Sequence, residues 1–123
     1  MKDSLQPGLE LTKEFLTTPA MGVPHLGASG GVLSTPAMIG MMEQTSLSSV
    51  TPHLEANEQT VGTMVHIWHR AAAKIGETVK VYAKLIERDR RKLLFEVKVT
   101  RGDTLIGDGT HERFVIDLSK FKG

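Results

Sequence analysis

Residues 32–54, VLSTPAMIGMMEQTSLSSVTPHL, decide the fold, because they form the one segment with helical length and periodicity. Thr35 followed by Pro36 reads as a helix start: a threonine hydroxyl can cap the unpaired amides of a first turn, and proline at the first helical position gives up no hydrogen bond. The spacing predicts a helix running to about Val50, ahead of Pro52. At about 100° per residue, Ile39, Leu47, Val50 and Leu54 form one stripe with Glu43 in its middle. That stripe aims Glu43 at the core, where an ionised carboxylate is costly unless donors surround it, so Glu43 reads as a working residue. The plainer reading is a glutamate that snorkels or caps a strand. Ala37, Met38, Ile39, Met41 and Met42 make the upstream half apolar all round, which predicts a helix wrapped by protein.

Outward from the helix, the chain reads as strand and turn. Upstream, LELTKEFL alternates Leu9 and Leu11 with polar residues before Phe15 and Leu16 and predicts a first strand. Segment 19–34, PAMGVPHLGASGGVLS, has the Gly, Pro and small-residue composition of a loop or lid over a site. Downstream, segments 60–73, 78–88, 92–100 and 104–118 alternate apolar and polar residues, and RDRR and RGD make tight hairpin links. The expectation is a single α+β domain over residues 1–123, with an antiparallel sheet of about five strands curved around one long central helix.

Composition narrows the function. A chain of 123 residues keeps a high surface fraction, which favours burial in an oligomer. With 24% charged residues and a net charge of +1 there is no basic field to draw nucleic acid. No apolar run approaches the roughly 20 residues of a membrane span, and MKDSLQPGLE lacks the charged and apolar sections of a signal peptide, so the expected location is the cytoplasm. The absence of cysteine removes disulfides, thiolate chemistry and thiolate metal sites. Catalysis would fall to Glu, Asp, His, Ser and Thr.

In HIWH, His66 and His69 are three residues apart on a strand and face opposite sides, so no shared metal ion is expected. His69 shares a face with Val65 and Ile67 and could approach Glu43; the plainer reading is a hydrogen-bonded core histidine. His66 falls with Trp68 on the other face. Gly62 suits either close backbone approach to a ligand or a simple bulge. In GTHER, His111 and Arg113 share a face opposite Glu112, and Arg113 is either part of an exposed edge or an anion binder. Arg88, Arg90, Arg91 and Lys92 make a solvated hairpin tip or a phosphate-binding one.

The ordering of Thr35, the MIGMME run ending in Glu43, VGT around Gly62, His69 followed by Ala71 and Ala72, and GTHERFVIDLSKF resembles the hot-dog thioesterases of the fluoroacetyl-CoA thioesterase type. The likeness runs from Val32 to Phe121. The resemblance implies hydrolysis of a short or medium acyl-CoA, with Thr35, Glu43 and His69 as catalytic residues, Gly62 lining the acyl site and Arg113 near the substrate. It also implies a homodimer or a higher oligomer with acyl-CoA at the subunit interface, and no cofactor beyond the coenzyme A of the substrate. Segment 19–34 departs from the fluoroacetyl-specific pattern, in which phenylalanines gate the pocket, for it holds no Phe, Tyr or Trp. Two rivals are a non-catalytic acyl-CoA-binding module and an enoyl-CoA hydratase. Binding alone needs no Thr, Glu and His together, and no core-facing segment carries the Asp and His pair that hydration usually uses.

Overall fold

Val79, Val81, Ala83 and Leu85 on one strand and Leu93, Phe95, Val97 and Val99 on the next are fully buried, as strict alternation demands of strands with one face on a core. They lie on β3 (Thr78–Asp89) and β4 (Lys92–Arg101) of the computed structural model, which describes residues 1–26 and 31–121. A two-residue turn joins them: Asp89 pairs with Lys92, and Arg90 takes a positive φ of 57°. The other strands are β1 (Glu10–Leu16), β2 (Glu58–His69) and β5 (Thr104–Asp117). All pairings are antiparallel, in the order β1-β3-β4-β5-β2. The single long helix α1 (Thr35–Val50) lies on one face of this sheet, the expected architecture. Strand β2 is an edge, paired among the described residues only with β5. No helix there is long and apolar enough to cross a membrane.

Two expectations about α1 are corrected. The cap is Ser34, whose hydroxyl accepts from the Ala37 amide at 3.2 Å, so Thr35 is the first helical residue and keeps its own hydroxyl for other use. The buried side of the helix is not the Ile39–Glu43–Leu47 stripe, which stays half-exposed, but Met38, Met41, Met42, Thr45, Ser46, Ser49 and Val50. Three of these carry hydroxyls, and each is satisfied within the helix: Thr45 and Ser46 donate to the Met41 and Met42 carbonyls at 2.8 Å, and Ser49 to the Ser46 carbonyl at 2.6 Å. Small side chains with no unmet hydrogen bond let the sheet come close.

The approach is closest where β5 lacks side chains. A Cβ at Gly107 would stand 2.5 Å from Met38 Sδ, and one at Gly109, whose φ is +152°, would fall on the carbonyl oxygen of His66 across the β2–β5 ladder. Gly109→Ala is therefore expected to destabilise the fold by about 1–3 kcal/mol or more, since the clash is with backbone and no rotamer relieves it. Chemical denaturation checks this; an unchanged unfolding midpoint would contradict the geometry.

Candidate active site

Because Ser34 takes the capping role, the Thr35 hydroxyl at the exposed start of α1 is free to meet β2. Its Oγ1 lies 2.7 Å from Nδ1 of His69, the last residue of β2. The other ring nitrogen, Nε2, is buried with no hydrogen-bond partner among the described residues. This pair sits in a shallow cleft of about 330 Å³ that also includes Val23, Val32, Leu33 and Arg70. Segment 19–34 supplies one wall. It forms two short 3-10 turns, Pro19–Met21 and Pro24–Leu26, and is held by bridges from Gly22 to Leu33 and from Val32 to Lys74; residues 27–30 lie outside the described residues.

Glu43 belongs to a second cluster. Eight residues along α1 from Thr35, or about 12 Å of helical rise, its Oε2 lies 3.8 Å from Arg113 Nη1. Its side chain is 42% exposed rather than core-bound. Gly62 makes room for it: a Cβ there would stand 2.9 Å from Glu43 Oε2, 3.3 Å from His111 and 3.4 Å from Arg113. The same glycine begins a bulge, with the β2–β5 register shifting between Gly62 and Met64. Of the two uses expected of Gly62 the structure shows the bulge, and the close approach beside it is made by the chain's own Glu43.

Under this carboxylate runs a buried polar chain. Arg113 donates from Nε to Thr60 Oγ1 at 2.8 Å and from Nη2 to the Thr60 carbonyl at 2.9 Å. His111 Nδ1 donates to the Met64 carbonyl at 2.8 Å, which leaves Nε2 to accept from Arg113 Nη1 at 3.2 Å. Burial pushes the His111 pKa below its ordinary 6.5, and the neighbouring Arg113 charge adds to that against the pull of the Met64 carbonyl. Burial likewise lowers the Arg113 pKa, with Glu43 opposing. Arg113 is thus fixed on its own fold, and the anion its remaining N–H faces is Glu43. Strand β5 lies inside the sheet, so the exposed-edge alternative for GTHER does not hold.

Sequence did not point to Thr60, and it placed His111 only beside Arg113 on one face without a role. The signal available was the alternation of His111, Arg113 and Val115, which puts both polar residues on the face of a core valine. His66 and His69 stand apart, one packed beside Trp68 and the other hydrogen-bonded to Thr35. In the basic hairpin, Arg88 and Arg91 are occupied by the carbonyls of Leu5 and Val115, at 2.8 and 3.3 Å, and brace the fold.

A histidine kept neutral by burial makes stability depend on pH. The unfolded chain takes up a proton on His111 near 6.5 before the folded chain does, so stability falls as pH is lowered from about 7 to 5.5 and is retained above that range. The melting temperature should fall with pH in this window, and His111→Gln should flatten the dependence whatever its effect at pH 7. An unaltered slope in the variant would contradict the assignment.

Residues 11–119 match the family of fluoroacetyl-CoA-specific thioesterases. The fluoroacetyl-CoA thioesterase of Streptantibioticus cattleyicolor is 37% identical over 128 residues, spanning 98% of this chain and 92% of that protein. The solved structure of the fluoroacetyl-CoA thioesterase FlK superposes with a TM-score of 0.87 at 36% identity, covering 97% of this chain and 93% of that one. A hot-dog-like protein from Thermanaerovibrio acidaminovorans, at 17% identity, shares the fold with a TM-score of 0.84 over 92% of this chain and 84% of its own. The helix embraced by a five-stranded antiparallel sheet is accordingly a hot-dog fold, and the chain belongs to the family of fluoroacetyl-CoA-specific thioesterases.

Proposed function

We propose that the chain hydrolyses short and medium acyl-CoA thioesters to the free acid and CoA, acting as a homodimer in the cytoplasm with no cofactor besides the CoA of its substrate. The activity of its relatives supports the substrate class, and a FlK variant has been crystallised with fluoroacetate and CoA. The observation that carries the reading is the 2.7 Å bond between Thr35 Oγ1 and His69 Nδ1 in an open cleft, a hydroxyl and a base within proton-transfer distance. An acyl-CoA-binding module has no need of that pair.

In one chain the carboxylate stands midway along α1, about 12 Å of helical rise from the imidazole at the helix start. Two features support a second copy as the missing half: β2 has an unpaired edge with Met64 and Val65 exposed, and the Ile39–Glu43–Leu47 stripe is half-open beside it. Two β2 edges paired antiparallel about a two-fold near Val65 would set the Gly62 end of one strand beside the His69 end of the other. Glu43 of one copy then lies toward the partner's His69, whose Nε2, buried within its own chain, it reaches once that ring turns outward.

In that arrangement His69 takes the proton from the Thr35 hydroxyl, or from a water held on it, as the oxygen attacks the thioester carbonyl. The developing oxyanion lies at the positive end of α1. When the C–S bond breaks, the imidazolium returns the proton to the departing sulfur; where Thr35 has been acylated, a water repeats the sequence and releases the acid. Glu43 orients the ring and offsets its positive charge, and Arg113, held by Thr60 and His111, fixes Glu43.

Segment 19–34 offers Met21, Val23, Val32 and Leu33 where a selective gate would need bulk, so little preference for fluoroacetyl-CoA over acetyl-CoA is expected beyond intrinsic reactivity. Thiol release from acetyl-, fluoroacetyl-, butyryl- and hexanoyl-CoA tests this, and Glu43→Gln and His69→Ala should each lower kcat by about 10²–10⁴-fold with acyl-CoA binding retained. Binding without thiol release from any of the four would leave the binding module as the better reading. Near-normal turnover in both variants would remove the two residues from the mechanism.

A further inference from the structure

The outer face of β2 carries a feature that thioester chemistry at Thr35 and His69 leaves unused. His66 and Trp68 on the strand and Arg70 just past its end lie side by side: the His66 and Trp68 ring centroids are 4.6 Å apart with the planes tilted by 39°, and the Arg70 guanidinium carbon lies 5.6 Å from the centroid of the indole. Trp68 is 50% exposed although it is among the largest apolar side chains, and it is the sole tryptophan of the chain. Arg70 Nε is anchored on Asp108 at 2.6 Å, while its side chain remains 48% exposed. A solvent-facing indole between an imidazole and a guanidinium that is held in place by a carboxylate is costly to display and well suited to a flat, anionic ligand.

The position of Arg70 selects that ligand. Directly after His69 in sequence, it lines the same cleft as Thr35 and His69 and also reaches over Trp68, so it joins the reaction cleft to the aromatic ladder. A molecule whose reactive carbonyl is at Thr35 and whose other end is a phosphorylated purine would pass Arg70 with its phosphates and bring its base to Trp68. We propose that His66, Trp68 and Arg70 form a docking platform for the nucleotide end of the acyl-CoA substrate, with the adenine on the exposed side of Trp68 and a phosphate on the Nη groups of Arg70. This rests on the acyl-CoA reading above, of which it names the second half of the binding site.

A single tryptophan gives a direct readout without turnover. Titration of the intact protein with CoA, with adenosine 3′,5′-bisphosphate and with pantetheine should give saturable fluorescence quenching by the first two and none by the third. In kinetics, the KM advantage of acetyl-CoA over acetyl-pantetheine should shrink about tenfold in Trp68→Ala, as loss of a base stack implies, and recover in Trp68→Tyr. Arg70→Ala should shrink it as well. Quenching by pantetheine equal to that by CoA, no quenching by any of the three, or an undiminished KM advantage in Trp68→Ala would overturn the platform. The two readings fail separately: quenching by nucleotide without hydrolysis refutes the thioesterase activity alone, and hydrolysis without quenching refutes the platform alone.

Discussion

Helix α1 packs mainly across β3, β1 and β4, and where it meets β2 and β5 the sheet is bare. Gly107 admits Met38, Gly109 permits the tight β2–β5 pairing, and Gly62 admits the carboxylate of Glu43. Along the rest of the buried helix face, Thr45, Ser46 and Ser49 are small residues that return their hydroxyls to their own backbone. A side chain at Gly62 would fill the space that the carboxylate occupies, and one at Gly107 would lift the helix start that brings Thr35 to His69. The chemistry and the packing therefore share one constraint.

That constraint also explains the arginine inside the sheet. A buried guanidinium is expensive unless its N–H groups are met, and Arg113 is met by Thr60, by its carbonyl and by His111, which is in turn anchored on the bulge at Met64. The network holds one positive charge under a half-exposed carboxylate, so Glu43 is oriented without being enclosed. In the reading proposed here the open side of that carboxylate belongs to the partner's imidazole.

Much of this was legible in the sequence, in proportion to how strictly a periodicity was imposed. Strands β3 and β4 showed their fold plainly because Val79 to Leu85 and Leu93 to Val99 alternate against a core without exception. The helix limits were readable from Pro36 and Pro52. Its orientation was not: with apolar residues nearly all round, the periodicity favoured Ile39 and Leu47, whereas the sheet covers a face partly made of hydroxyls that announce no burial. The cap was misread by one residue because Ser34 and Thr35 are chemically interchangeable there, and only geometry tells which hydroxyl turns inward and which reaches His69. His111 was visible as the neighbour of Arg113 on one face, but its depth depended on β5 lying inside the sheet, and strand order is not written in alternation.

In the proposed dimer one catalytic unit draws Thr35 and His69 from one chain and Glu43 from another. Mixing Glu43→Gln with His69→Ala and allowing subunits to exchange tests it directly, since each variant alone is expected to keep at most about 1% of the activity. If the unit spans two chains, every mixed dimer holds one intact unit and one doubly altered unit, and an equal mixture should recover about a quarter of the unaltered activity. If each unit is built within a single chain, every unit in the mixture carries a defect, and activity that stays at the level of the separate variants would contradict the account.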